Sequence, residues 1–180
     1  IYRSILQTHP DNLVANNNLG IILHNNKDYS EAINYFKKTI SIDSSYFLAY
    51  FNLGLSLKSL GKFEESKKIY IQAINIEPNY SQAHNNLGVI FELLNNPDEA
   101  KISIKKALEI DPYNPEFHFN LGNVLIKTDD LENAILSFNK SIELQPNHKQ
   151  ALFNRGQIYF KKVFFDLSLK DFDKCDTEKS

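Results

Sequence analysis

Asparagine stands at positions 18, 52, 86, 120 and 154, once every 34 residues. A carboxamide donates and accepts hydrogen bonds at once, so a row of them on one surface matches the C=O and N–H groups of an extended backbone. If the elements carrying them stack about 10 Å apart and a ligand strand rises about 3.3 Å per residue, one amide meets roughly every third ligand residue. Phe51, Phe119 and Phe153, with Ile21, Leu55 and Val89 between the amides, would add apolar contacts able to select side chains. That is binding chemistry, and the residues suited to catalysis do not assemble in the same way. His84 and His118 sit one period apart, too far to share a metal at about 2.0–2.1 Å. The single cysteine, Cys175, can form neither an internal disulfide nor a thiolate zinc site, and it falls in register with the small residues Thr39, Ala73, Ala107 and Ser141. There is no glycine-rich phosphate loop, nucleophile elbow or His-Glu metal motif. The expectation is a non-enzymatic chain with no cofactor and no metal.

Composition agrees with that expectation. In 180 residues, 20 basic side chains oppose 22 acidic ones, a formal net charge of −2, which lacks the basic footprint of a nucleic-acid binder and gives no attraction to an anionic membrane. Apolar residues make up 42 %, enough for a sizeable core, and no apolar run approaches the ~20 residues needed to cross a bilayer. The chain begins at Ile1 and contains no methionine, so it reads as a piece of a longer protein, in which any targeting signal would be invisible; the compartment expected is the cytoplasm.

The elements that position the asparagines follow the same beat. Glycines recur at 20, 54, 88, 122 and 156, preceded by Leu19, Leu53, Leu87 and Leu121 and then by Arg155. Prolines recur at 10, 78, 112 and 146, with Ser44 in the remaining place, and small residues at Ala32, Ser66, Ala100, Ala134 and Ser168. These phases give units 13–46, 47–80, 81–114, 115–148 and 149–180, preceded by 1–12 as the second helix of an earlier unit, all within one array over 1–180.

Within each unit the apolar spacing is helical, as in Ala83, Leu87, Ile90 and Leu94 and again in Ala100, Ile104, Ala107 and Leu108. Each unit therefore reads as two antiparallel helices. Asn96, Pro97 and Glu99, like Asp28 and Glu31, form helix-start signals with an expected side-chain cap. Glu77, Asp111 and Gln145 precede prolines, which ends the second helix there. Gly20 facing Ala32 would let the helices of a hairpin approach closely, while Leu19, Tyr29 and Phe36 fill the space beside them. One hairpin cannot cover its own apolar surface, so neighbours stack into an all-α solenoid with a core running its length.

The 34-residue period, the Leu-Gly pairs at 19–20, 53–54, 87–88 and 121–122, Glu-Ala at 31–32 and 99–100, the aromatics Phe36, Tyr70 and Phe138, and the phased prolines resemble the tetratricopeptide repeat. Departures are local: Lys27, Asn95, Asp129 and Val163 replace the frequent turn glycine, and Ile104 stands where an aromatic is usual. The resemblance implies a right-handed superhelix whose first helices line a concave groove for a peptide or protein segment.

A stripe along those first helices would form the groove. It contains Asn17, Asn18, Phe51, Asn52, Asn85, Asn86, Phe119, Asn120, Asn123, Lys127, Phe153 and Asn154, the expected peptide-binding residues. Two uses of the amides stay open: contact with a ligand, or support of the helix surface. The asparagine row is also similar to the repeat arm of the O-linked N-acetylglucosamine transferases, which implies an alternative as the substrate-recruiting part of a larger enzyme whose catalytic region lies outside this chain. A clamp for terminal carboxylates is not expected, because Asn17, Phe51, Asn85 and Phe119 occupy the places where its lysines would fall. The partners expected are a protein or peptide, with no nucleic acid, membrane or small-molecule cofactor. Self-association through the array ends is a further expectation, since Val163, Phe164, Phe165, Leu167 and Phe172 leave the last unit without a polar cap.

Overall fold

The computed structural model describes residues 1–176. Positions 177–180, the end of the last expected unit, lie outside the described residues. Eleven helices and no strand occur among the described residues: α1 (Tyr2–Thr8), α2 (Leu13–Asn25), α3 (Tyr29–Ile42), α4 (Phe47–Ser59), α5 (Phe63–Ile76), α6 (Ser81–Leu93), α7 (Pro97–Ile110), α8 (Pro115–Lys127), α9 (Leu131–Leu144), α10 (Lys149–Lys161) and α11 (Phe165–Asp176). The closest partners are α2 with α3, α4 with α5, α6 with α7, α8 with α9, and α10 with α11; each second helix then packs on the next first helix. This is an α-solenoid, and its apolar clusters each draw on adjacent hairpins. Leu19, Leu23 and Phe36 pack with Leu53 and Leu57, and Phe138 packs with Ala151 and Ile158. Tyr2 and Leu6 of α1 cover the open end of the first cluster.

The turns inside the hairpins share one device. Lys27, Gly61, Asn95, Asp129 and Val163 all adopt the left-handed conformation, with φ of 68°, 74°, 60°, 55° and 65°. The turn closes on backbone bonds alone: the Asp28 N–H reaches the Leu23 carbonyl at 2.9 Å, and the Asn96 N–H reaches Phe91 at 2.8 Å. Helices α3 and α7 begin at the expected places, but the Asp28 and Asn96 side chains make no capping bond. That corrects the capping expectation. Side chains do cap the helices at Asn12, Asn114, Asp130 and His148.

The phased glycine has a different partner from the one expected. A Cβ at Gly20, Gly54, Gly122 or Gly156 would stand 2.5–2.7 Å from a ring carbon of Phe36, Tyr70, Phe138 or Phe172. So the glycine seats the ring one turn beyond the small residue, and the ring is the buried body of the unit: Phe36, Tyr70 and Phe138 are fully enclosed. At Gly88 the branched Ile104 fills the same seat, and the added Cβ would also lie 3.0 Å from the Ala100 carbonyl. The small residue still touches the glycine's backbone where it is serine. Ser66 Oγ donates to the Gly54 carbonyl at 2.8 Å, and Ser168 Oγ to that of Gly156 at 3.0 Å.

The last hairpin departs from the rest in one internal pair. Arg155, standing where the other units have leucine, holds Asp171 through Nε at 2.7 Å and through Nη2 at 2.5 Å, and its Nη1 donates to Asn139 Oδ1 of α9 at 2.6 Å. Burial works against the Arg155 charge, but the Asp171 carboxylate outweighs it and raises the guanidinium pKa. One side chain thus ties α10 to α11 and to the hairpin before.

Candidate functional site

The stripe residues of consecutive first helices meet one another. Asn52 Nδ2 donates to Asn17 Oδ1 at 3.4 Å, Asn120 Nδ2 to Asn85 Oδ1 at 3.0 Å, and Asn154 Nδ2 to Asn123 Oδ1 at 2.8 Å. Asn18 Nδ2 donates to the Tyr2 hydroxyl of α1 at 3.1 Å. Each of these amides thus uses a nitrogen hydrogen to reach the preceding unit, on its first helix for Asn52, Asn120 and Asn154 and on α1 for Asn18. Their oxygens receive no donor from the described residues, which leaves a row of acceptors in one register.

Not every expected member has the same role. Asn17 and Asn85 are buried, 4 % and 7 % exposed, and serve as acceptors for Asn52 and Asn120. Asn86 departs from the row, because Phe51 occupies the place where its partner amide would be. It donates instead to the Gln82 carbonyl of its own helix at 2.9 Å and accepts from Lys58 Nζ at 3.1 Å. Burial lowers the Lys58 pKa, and burial together with Lys58 lowers that of His24. His24 Nδ1 lies 2.9 Å from Ser56 Oγ, whose own hydrogen goes to the Asn52 carbonyl, so Nδ1 is the donor. Lys127, expected as a ligand contact, is paired with Glu92 at 3.0 Å.

The stripe phenylalanines sit beside the glycine-seated rings. Phe51 lies 5.9 Å from Tyr70 and 5.0 Å from Tyr80, and Phe119 lies 6.0 Å from Phe138 and 4.8 Å from His148. Phe153 is 5.7 Å from Phe172 and 47 % exposed. Phe119, Gln150, Phe153, Asn154 and Cys175 line a hollow of about 390 Å³. His148, buried beneath Phe119, takes the Ala151 N–H on Nδ1, so Nε2 carries its proton; Nε2 lies 3.3 Å from Glu116, out of line for a hydrogen bond. A second hollow of similar volume lies between α7 and α9, away from the stripe, edged by Lys101, Lys105 and Lys140.

His84 and His118 do something that the sequence did not reveal. Each lies 2.9 Å through Nε2 from a proline carbonyl six residues earlier, Pro78 and Pro112. Asn16 makes the same clasp to Pro10 at 2.9 Å, and the Tyr50 hydroxyl to Ser44 at 3.2 Å. Four units thus fasten the entry to the first helix with three residue types. Spacing was the signal, since 16, 50, 84 and 118 are in phase. No group of metal-ligating side chains occurs among the described residues.

A stack of helical hairpins with a continuous lined face defines a repeat protein of the α-solenoid class. Tetratricopeptide repeat models match residues 14–46, 48–80, 81–114 and 115–148. The chain belongs to the tetratricopeptide repeat family. Beyond these matched residues the fifth hairpin keeps the same seat, Gly156 against Phe172. No curated protein matches in sequence. Among solved structures the chain is similar to YrrB, described as a tetratricopeptide protein with an unusual peptide-binding site, at 22 % identity over 97 % of this chain and 90 % of that one, TM-score 0.74. It is similar to MamA of Desulfovibrio magneticus at 16 % identity over 93 % and 97 %, TM-score 0.83. It is also similar to PilF of Pseudomonas aeruginosa at 19 % identity over 93 % and 77 %, TM-score 0.86. No helix among the described residues is long and apolar enough to cross a membrane.

Proposed function

We propose that this chain is a non-enzymatic interaction module that holds an extended segment of a partner protein along the face formed by α2, α4, α6, α8 and α10. The observation that carries this is the row of amide oxygens on Asn18, Asn52, Asn120 and Asn154. Each is fixed by its own nitrogen's bond to the preceding unit and accepts nothing from the described residues. A fixed acceptor needs little reordering when a backbone N–H arrives, which favours binding by preorganisation. Phe119 and Phe153 beside the hollow supply aromatic surface for a side chain. The described binding of a peptide by YrrB, a protein of similar fold, supports the reading.

The test uses peptides selected from a displayed random library on the wild-type chain. Replacing Asn52 and Asn120 with alanine is expected to weaken them at least several-fold while far-UV helicity is kept. Unchanged affinity in that double variant would assign the amides to the scaffold alone.

A further inference from the structure

Over the first four units the lining of the groove repeats at twice the period of the core. At the position one residue before the asparagine row the side chains are Asn17, Phe51, Asn85 and Phe119, amide and ring in turn. Their neighbours alternate with them. Asn17 and Asn85 accept from Asn52 and Asn120 of the next hairpin, whereas Phe51 and Phe119 lie against Tyr80 and His148, the residues that open the next first helix. Polar ties join every pair of consecutive first helices, α4 with α6 through Lys58 and Asn86 and α8 with α10 through Asn123 and Asn154, so what alternates is the ring and the buried amide.

Resting on the proposed groove reading, we infer that the ligand is recognised in a two-hairpin register: an extended segment whose two apolar side chains are spaced to meet Phe51 and Phe119, with backbone N–H groups meeting the oxygens of Asn52 and Asn120 beside them. Two hairpin steps of about 8–10 Å, divided by about 3.3 Å per extended residue, put those side chains about five to six residues apart. The two ring sites are unequal. Phe51 is flanked by Tyr70 and Tyr80, while Phe119 shares its hollow with Phe153, because the fifth unit carries a ring where the alternation calls for an amide. The larger apolar side chain of the ligand belongs at the Phe119 end.

The experiment is a series of fluorescein-labelled peptides in which two phenylalanines are separated by two to eight serine or threonine residues, read by anisotropy against the full chain. Tightest binding is expected with four or five intervening residues, several-fold above the shortest member and above a peptide with one phenylalanine. Phe51→Leu, which removes the ring but keeps apolar bulk at that place, is expected to flatten this dependence and bring the two-phenylalanine peptides towards the affinity of the one-phenylalanine peptide. A flat dependence on spacing in the wild-type chain, or a maximum at two or three intervening residues, overturns the two-hairpin register and leaves groove binding standing if Asn120→Ala still weakens the peptides. Binding that ignores Asn120→Ala overturns both.

Discussion

The seam inside each hairpin and the face shared by the first helices obey different rules. Along the seam every unit solves one problem in one way: a ring or Ile104 lies where a Cβ on the opposing glycine would be within 2.7 Å of it. Along the face the units differ, with Asn17 and Asn85 buried in amide pairs and Phe51 and Phe119 set against rings. Close packing leaves the seam no latitude, since one added carbon must displace a ring that is itself enclosed. The face borders solvent, so its residues can change provided that neighbouring helices adjust their separation. Conformity marks the part that holds the array together, and variation marks the face proposed for recognition.

Substitutions can break or sharpen that contrast. On the seam, Phe138→Ala empties a fully buried seat and is expected to cost about 3–5 kcal/mol in denaturant unfolding, the largest effect here. Asp171→Ala leaves Arg155 without its carboxylate in the last hairpin, with an expected loss of about 3 kcal/mol. In a quasi-linear array that loss is local, so hydrogen exchange should rise across α10 and α11 and stay unchanged in α2 and α3. On the face, Asn120→Ala removes one amide tie and is expected to cost only about 0.5–1.5 kcal/mol, with the weakened ligand binding described above. A larger loss there than at Phe138 would erase the distinction between seam and face. In the turns, Val163→Gly should stabilise by about 1 kcal/mol, because a β-branched residue at φ 65° is strained where Gly61 is not.

The smallest effect is one of pH. Burial and Lys58 hold the His24 pKa below its ordinary value of 6.5, so the folded chain takes up that proton less readily than the unfolded one. The stability linked to His24 is therefore present above about pH 6.5 and is lost as pH falls through the lowered folded value. Melting temperatures of the wild type and His24→Gln should run parallel above that pH and converge below it.

Much of the fold was legible because its signals recur. The glycine beat, the phased prolines and the helical spacing each mark hairpins, and the left-handed turn residues Lys27, Asn95, Asp129 and Val163 fall where glycine is usual. What escaped was whatever joins unlike residues. Asn16, Tyr50, His84 and His118 make one clasp with three chemistries, so residue identity concealed it. Arg155 stood out as a departure, but its partner Asp171 lies 16 residues away and corresponds to Ser137 in the unit before, so no pattern linked them. Helical periodicity placed the stripe on one side of the first helices. It could not tell that Asn17 and Asn85 would be covered, because that depends on which side chain arrives from the next hairpin.

The alternating lining also fixes the grain at which the array can be edited. Within the first four units, splicing in or deleting 68 residues would return each amide and ring to a neighbour of the kind it has now, whereas a 34-residue graft would place ring beside ring, as Phe119 and Phe153 already stand at the fifth unit, or amide beside amide. Engineers lengthening such a scaffold should count its bricks in pairs.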